Sequence, residues 1–219
     1  MAEMGIYETM RTLRAVRRLR PDPIPDDVLR RVLEAATWAP TGGNRQPWRI
    51  VVVKDRALKE PLGKLYTEIW MAYTKQYRAA IPPDASAEER ARAERTINAG
   101  DYLASHFGET PVIAVFCFNP KNMAITDAKQ NRPSVVGGGS VYPAVENLLL
   151  ACRAEGLGCV LTTLLCQCES QVRELLKIPD PWYTCAAIPI GYPVGRGHGP
   201  LIRRAVDELA YRDTWGKTI

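Results

Sequence analysis

Arginines near both ends of the chain are the residues whose types and spacing most clearly suggest a binding chemistry. The N-terminal group is Leu13-Arg14-Ala15-Val16-Arg17-Arg18, and the C-terminal group begins at Arg203-Arg204. A guanidinium group offers paired, planar N–H donors that match a phosphate, so two short clusters of this kind suit a compact anion. The alternatives are a solvated basic helix end for the first cluster and a mixed-charge tail docked on the surface for the second.

A second segment, Ala39-Pro40-Thr41-Gly42-Gly43-Asn44-Arg45-Gln46-Pro47-Trp48, offers neutral hydrogen-bonding groups. Its prolines and glycines fix an irregular backbone between a helix and a strand. The amides of Asn44 and Gln46 suit sugar hydroxyls or the edge of a heterocycle. A capped turn, in which both amides bond backbone groups, is the alternative.

A glycine run, Gly137-Gly138-Gly139-Ser140, precedes a predicted helix. It does not follow a strand directly and it lacks the G-x-G-x-x-G spacing, so it is not a dinucleotide-binding signature. Two interpretations stay open. The run is either a flexible entry to the helix or a contact with an anion or substrate at the helix N-terminus.

The sequence contains no recognisable motif for catalysis by a protein nucleophile or a metal ion. It has no P-loop lysine motif, nucleophile elbow or H-E-x-x-H motif. Cys166 and Cys168 are interpreted as packing residues, because a thiol redox centre usually separates its cysteines by two residues. No metal site is expected, since only His106 and His198 could join the thiols and neither lies at ligand spacing. A bound cofactor is therefore expected to carry the chemistry.

The bulk composition predicts one ordinary globular domain over residues 1–219, with 46% hydrophobic and 24% charged residues. The net charge of +5 lies in short arginine clusters without interleaved aromatic residues, so no nucleic-acid partner is expected. The N-terminus lacks the apolar run of a secretory signal, and the longest apolar run, Val112–Phe118, is too short to span a membrane. We therefore expect a soluble, cytoplasmic protein with no membrane partner.

The elements that must position these segments follow from hydrophobic periodicity and chain-breaking residues. Helices are predicted over 6–13, 26–38, 58–77, 86–106, 140–155 and 169–176. Strands are predicted over 48–53, 111–118, 158–164 and 184–192. A long polar loop over 119–139 separates the second strand from the next helix. Because helices intervene between successive strands, the architecture is expected to be α/β or α+β with one sheet.

The order of short segments along the chain is more informative than any one of them. An arginine motif precedes a proline-rich linker, an alanine-proline turn leads to glutamine-proline-tryptophan, and an apolar helix ends in glycine-leucine-glycine. These segments are Arg14-Ala15-Val16-Arg17, Ala39-Pro40, Gln46-Pro47-Trp48, Gly156-Leu157-Gly158, Gly191-Tyr192-Pro193 and Arg203-Arg204. In this order they resemble the FMN-dependent nitroreductase family over essentially the whole chain. The resemblance implies an α+β fold with a single central, mostly antiparallel sheet flanked by helices, in a homodimer that exchanges arms.

The resemblance also implies a reaction. FMN would lie at the subunit interface, take hydride from NAD(P)H and then reduce an electron-poor small molecule such as a nitroaromatic, quinone or enone. Arg17 would stabilise the negative charge of the reduced ring near its N1 and O2 atoms, and no protein acid or base is required. The implied cofactor-binding residues are Arg14, Ala15, Arg17, Arg18, Thr41, Asn44, Gln46, Thr162, Thr163, Leu164, Arg203 and Arg204. The predicted substrate-cleft walls are Tyr66, Trp70 and Tyr73 with the loop over 119–139, for which core packing is the alternative.

The first motif departs from the family pattern. Ala15 replaces the usual serine, which removes a hydroxyl contact to the phosphate and leaves only the backbone N–H. Leu13 replaces a frequent arginine, so the phosphate would depend more on Arg14 and Arg204. Arg45 stands where serine is commoner.

Other functions on the same scaffold stay open, because a fold does not fix an activity. The chain could store flavin with a blocked nicotinamide site, or it could use the scaffold for dehydrogenation or deiodination. The sequence does not choose between NADH and NADPH or identify the physiological acceptor.

Overall fold

The computed structural model of the protein describes residues 4–219, which form six α-helices and one four-stranded sheet. In chain order the elements are α1 (Ile6–Thr12), α2 (Asp26–Thr37), β1 (Trp48–Val53), α3 (Arg56–Ala79), α4 (Ala87–His106), β2 (Val112–Phe118), α5 (Tyr142–Ala154), β3 (Gly158–Cys159), α6 (Glu169–Leu176) and β4 (Tyr183–Gly191). Short 3-10 turns occur between them, including Pro120–Asn122 and Val136–Ser140 in the predicted polar loop.

The four strands pair antiparallel in the order β1-β2-β4-β3. At one end of the sheet Trp48 pairs with Phe118, and at the other end Val112 pairs with Ile190. Beyond β3 the segment that follows α1 extends the sheet through a parallel bridge between Ala15 and Cys159, in which the Val16 N–H donates to the Cys159 carbonyl at 2.9 Å. The expectation of a single, mostly antiparallel sheet flanked by helices is therefore confirmed.

The side chains of β2 show that helices cover both faces of the sheet. Successive side chains of a strand point to opposite faces, so an uninterrupted apolar run is expected where helices cover both. One set of alternating residues packs with α2 and α5, and the other set packs with α3, α4 and α6. The first set is Val112, Ala114 and Phe116, and the second is Ile113, Val115 and Cys117.

Most helices and strands begin and end within two residues of their predicted bounds, and the observed bounds of β1 and α6 equal the predicted ones. The strand predicted over 158–164 is wrong, because only Gly158–Cys159 forms a strand. Thr162 then makes an isolated bridge to Ala187, and the chain turns into a 3-10 helix, Leu164–Cys168. The intervening apolar residues, at positions 160 and 161, pack in the core without pairing. Periodicity records which side chains are buried and does not show which backbone groups pair.

Across residues 4–219 no helix is long and apolar enough to cross a bilayer. The cytoplasmic location stays a prediction. The same residues contain no group of three or more His, Cys, Asp or Glu side chains that could hold a metal ion.

The cysteines are all free thiols. Burial raises the pKa of the Cys166 and Cys168 thiols, which keeps them protonated and poorly nucleophilic. Their nearest polar contacts are backbone carbonyls, those of Thr184 and Leu165 respectively. These surroundings support the interpretation of Cys166 and Cys168 as packing residues.

Candidate functional site

The edge of the sheet beside β3 positions the N-terminal arginines. After α1 the chain is extended, and Val16 and Leu19 are buried against the sheet while Arg14 and Ala15 remain exposed. Gly158 permits this approach, since a Cβ there would lie 2.7 Å from Val16 Cγ1. The backbone thereby holds the arginine segment at a fixed place on the sheet edge.

Arg14 lies in a small cationic cluster with Arg153 of α5 and His198. The Arg153 Nε donates to Thr12 Oγ1 at 2.9 Å, and the ring of His198 donates from Nε2 to the Leu157 carbonyl at 2.9 Å. His198 is 8% exposed, and its buried Nδ1 has no hydrogen-bond partner among the described residues. Buried polar atoms without a hydrogen-bond partner are uncommon in proteins, and one reason for them is a ligand that completes the site.

The electrostatics of this cluster favour an anion. Burial lowers the pKa of the His198 imidazole, and the positive charges of Arg153 and Arg14 lower it further. Within residues 4–219 neither arginine pairs with a carboxylate. Two guanidinium groups without a counter-ion, beside an unpartnered ring nitrogen, fit a phosphate monoester. No sequence motif marked Arg153 or His198, which lie about 140 and 180 residues from Arg14.

Arg17 approaches a second group of predicted site residues. The Arg17 guanidinium and the Thr162 side chain lie close enough to the Tyr66 hydroxyl to lower its pKa, although burial has the larger, raising effect. Burial in turn lowers the pKa of the half-buried Arg17, and Tyr66 opposes that shift. An arginine stays protonated in such surroundings. The structure therefore brings Arg17, Tyr66 and Thr162 together.

The segment after β3 offers one exposed backbone donor. The N–H and carbonyl of Thr162 are both bonded to Ala187, at 3.0 and 2.8 Å. The Leu164 N–H donates to Thr162 Oγ1 at 3.4 Å. Thr163 is exposed, and its N–H has no partner among the described residues. Of the three predicted donors in this segment, Thr163 is the one left free.

The other predicted arginines make no contact with this cluster among the hydrogen bonds and ion pairs of residues 4–219. The Arg18 guanidinium lies 4.4 Å from the ring centre of Tyr102 in α4, a cation–π contact. Arg203 and Arg204 are exposed, and Arg203 donates to the neighbouring Ile202 carbonyl. Arg204 lies five positions after Gly199, which is beside Arg14, so even fully extended chain keeps the Arg204 backbone within roughly 17 Å of Gly199.

The loop before β1 is held by its own polar side chains. The Gln46 N–H donates to Thr41 Oγ1 at 3.0 Å, and the Gln46 amide donates to Asn44 Oδ1 at 3.2 Å. Asn44 and Gln46 have φ angles of 52° and 46°, in the left-handed region that disfavours side chains other than glycine. The amides thus partly satisfy each other, as the capped-turn alternative requires, while both residues remain exposed. Local backbone strain of this kind is often found at functional sites.

The glycine run, residues 137–140, is hydrogen-bonded to the loop before β1 and leads into α5. It forms the 3-10 turn Val136–Ser140, and Ser140 Oγ accepts a hydrogen bond from the Gly42 N–H at 3.0 Å. Gly138 lies against Tyr142, where a Cβ would approach the ring to 2.8 Å. The run is an ordered turn, and its contact with an anion stays a prediction.

The loop over 41–46 and the arginine segment lie at diagonal corners of the sheet. The loop leads into β1 at the end where Trp48 pairs with Phe118, whereas Arg20 bonds Tyr192 beyond the other end. Four inter-strand spacings of about 4.8 Å separate the two edges by roughly 19 Å. Within one chain the predicted amide and arginine groups therefore do not form one site.

The predicted cleft walls differ in their exposure. Tyr66 is 2% exposed and stacks on Phe107 with ring centres 4.1 Å apart. Trp70 donates from Nε1 to Asp101 at 2.8 Å and packs over Gly100. Tyr73 is 46% exposed. Packing therefore accounts for the first two residues, and Tyr73 alone of the three offers an open ring.

The loop over 119–139 is organised around Asp127, which is 8% exposed. Ser134 Oγ donates to Asp127 Oδ1 at 2.6 Å, and Arg132 forms an ion pair with Oδ2 at 2.8 Å. The predicted polar loop is thus folded about one buried carboxylate.

A groove of about 1010 Å³ runs between α1, α2 and α5. Its apolar walls include Ile6 and Trp38, which are 56% and 73% exposed, and its rim carries the ion pair of Arg31 with Glu155. Exposed large apolar side chains rimmed by charged groups mark a binding surface.

The sequence model of the nitroreductase family matches residues 10–192. The chain belongs to the nitroreductase family. This membership confirms the resemblance, and it makes the protein an oxidoreductase of that family. The match includes the arginine segment, the loop before β1 and the whole sheet.

Individual relatives show how varied the activities of similar proteins are. The chain is 31% identical to an NADH dehydrogenase of Thermus thermophilus, covering 84% of this chain and 85% of that protein. It is also 31% identical to a 5,6-dimethylbenzimidazole synthase of Rhodobacter capsulatus, covering 92% and 89%. An iodotyrosine deiodinase structure with FMN and 3-iodo-L-tyrosine shares the fold, with a TM-score of 0.71 and 23% identity over 96% of this chain and 99% of that one.

Proposed function

We propose that this nitroreductase-family protein binds FMN and uses NAD(P)H to reduce electron-poor small molecules. The observation that carries the proposal is the cluster of Arg14, Arg153 and His198, which has two cations and, among residues 4–219, neither a partner for the ring nitrogen nor a carboxylate. The similarity to an NADH dehydrogenase supports a nicotinamide as the donor. The FMN in a structure of the same fold supports the choice of flavin.

The phosphate end of FMN would be held at the edge of the sheet. Arg14 would donate a pair of N–H groups, and the exposed Ala15 would contribute its backbone N–H. Arg204, with Arg203 beside it, lies on an exposed segment within reach and would supply further positive charge. Arg18 would be less directly involved, because its guanidinium is engaged with Tyr102.

The ring end would lie toward Arg17 and the segment after β3. When bound, FMN supplies the chemistry by accepting hydride from the nicotinamide and passing electrons to the acceptor. Arg17 would stabilise the negative charge that reduction places on the ring, and the half-buried site strengthens that interaction. The free Thr163 N–H would donate to the ring edge, while Thr162 and Leu164 would shape its surroundings. Tyr73 is the cleft wall best placed to meet a substrate, because its ring is open.

We also propose that the site is completed by a second copy of the chain. Thr41, Asn44 and Gln46 lie at the opposite corner of the sheet from Arg14, so a two-fold dimer is the simple way to unite them around one ligand. The groove beside Trp38, with its exposed apolar side chains and its charged rim, supplies a surface for that dimer. The exposed tail, in which Trp215 is 91% exposed, would serve as the exchanged arm.

Anaerobic addition of NADH or NADPH to the purified yellow protein is expected to remove the visible flavin absorbance, on the order of seconds. Nitroaromatics, quinones and enones are then added separately, and an accepted substrate restores the colour. A separate assay with 3-iodo-L-tyrosine tests for deiodination. Protein that keeps its colour with both nicotinamides would contradict the proposed donor and support flavin storage.

The dimer is expected to have about twice the chain mass of 24.4 kDa in sedimentation equilibrium. Trp38→Glu places a charge in the groove and is expected to shift the protein toward the single-chain mass and to lower its flavin content. Tyr77→Glu is the matched control, since Tyr77 is exposed and lies outside that groove. A wild-type protein that sediments as a single chain while holding FMN would overturn the two-copy site.

A further inference from the structure

We propose that His198 is a proton-linked part of the phosphate site, which takes up one proton when the phosphate monoester of the flavin binds beside Arg14 and Arg153. This inference rests on the proposed binding of FMN. It adds a residue that lies far from both arginine motifs in the sequence. It also predicts that this one imidazole adds its own contribution to the pH dependence of flavin affinity.

The hydrogen bond to Leu157 fixes where the ring proton lies. A backbone carbonyl only accepts hydrogen bonds, so the Nε2 that lies 2.9 Å from the Leu157 oxygen must carry a hydrogen. In the neutral ring Nδ1 is then an unprotonated acceptor. It is buried and has no donor among the described residues. Any added proton must therefore go to Nδ1.

The surroundings of the ring keep it neutral in the free protein. Arg153 reaches it from α5 and Arg14 from the segment after α1, and both are cations. The remaining contacts are backbone groups, the Leu157 carbonyl and the turn in which the His198 N–H donates to the Arg196 carbonyl. Burial and the two arginines all lower the pKa of the imidazole, and only the Leu157 carbonyl opposes them. At neutral pH the free protein thus presents two positive charges and an uncharged ring.

A bound phosphate reverses the electrostatics at the ring. A phosphate monoester carries close to two negative charges at pH 7, which offset the two guanidinium groups. An opposite charge nearby favours the protonated imidazole. His198 then accepts a proton from solvent at Nδ1, and the imidazolium adds a third positive charge beside the phosphate. No bond other than this N–H forms.

The sign of the pH dependence follows from linkage. The pKa of His198 is low in the free protein and higher in the complex, so binding takes up a proton between those two values. Across that interval the contribution of His198 makes the affinity fall as pH rises, by at most about tenfold per pH unit. The phosphate group of FMN has its own second pKa of about 6 and acts in the opposite direction. The comparison of the wild type with a variant isolates the histidine.

Calorimetric titration of the apoprotein with FMN tests the proposal. Titrations at pH 7 in two phosphate-free buffers of different ionisation enthalpy give the number of protons taken up. The wild type is expected to take up more protons than His198→Gln, with a difference approaching one. The glutamine side chain can still donate to the Leu157 carbonyl, and it does not titrate. Riboflavin, which lacks the phosphate, is expected to show no difference between the two proteins.

Equal proton uptake by the wild type and His198→Gln with FMN would overturn the proposal. A wild type that binds neither FMN nor riboflavin would instead contradict the proposed function. An NMR titration of the wild type keeps the test independent of how the variant folds. The chain has two histidines, so the His198 signal is assigned by its loss in the variant or by the loss of the other signal in His106→Gln. The imidazole pKa is expected to rise on FMN binding, and an unchanged value contradicts the proposal.

Discussion

Arg14→Ala is expected to yield largely flavin-free protein and to raise the dissociation constant of FMN about 10- to 150-fold. Hydrogen bonds to charged groups contribute about 1.5–3 kcal/mol, which corresponds to that range of affinity. The effect is expected to be large because Ala15 and Leu13 supply none of the side-chain donors that the family pattern places there. The measurements are the flavin absorbance per chain after purification and fluorescence titration of the apoprotein.

Arg30→Ala is the matched control for Arg14→Ala. Arg30 is an exposed arginine of α2 that forms no ion pair among residues 4–219, so its loss removes the same charge without removing a member of the cationic cluster. This control is expected to keep its flavin. Arg204→Ala is expected to lose flavin as well, because Arg204 is placed at the same phosphate. Full flavin content in both the Arg14 and the Arg204 variants would remove the basis for the phosphate assignment.

Phe107→Ala is expected to lower the free energy of unfolding by about 3–5 kcal/mol, measured by urea denaturation. Phe107 is fully buried and stacks on Tyr66, and both belong to the cluster that packs α3 and α4 on the sheet. Since a domain is stable by about 5–15 kcal/mol, a loss of this size is a large share of the total. The hydroxyl of Tyr66 lies near Arg17, so flavin binding is expected to weaken in parallel.

Phe107→Leu is the control for cavity formation, because it keeps an apolar side chain and is expected to cost less than half as much as the alanine variant. Equal losses for leucine and alanine would show that the ring stacking, and not the filled volume, determines the stability. A loss below about 1 kcal/mol for the alanine variant would mean that Phe107 does not hold this cluster together.

Local patterns in the sequence contained most of the fold. The apolar run of β2 predicted a strand covered on both faces, and the two sets of alternating side chains do pack on opposite helix layers. The ordered segments from Arg14 to Arg204 resembled the family to which the chain belongs. Such signals are readable because burial and backbone conformation repeat over short distances along the chain. The strand predicted over 158–164 was wrong for the same reason, because the apolar residues at positions 160 and 161 pack in the core without pairing their backbones.

Tertiary contacts decided the composition of the candidate site. Arg153 ends an ordinary helix and His198 lies in a glycine-rich turn, and neither position is distinctive in the sequence. They reach Arg14 only because β3 and the segment after α1 lie side by side at the sheet edge. The same topology placed Asn44 and Gln46 at the far corner, buried Tyr66 and engaged the half-buried Trp70 in packing. The sequence by itself determined the family, the sheet and the two arginine ends. Only the tertiary structure decided which residues meet Arg14, because contacts between distant parts of a chain depend on how its elements are arranged in space.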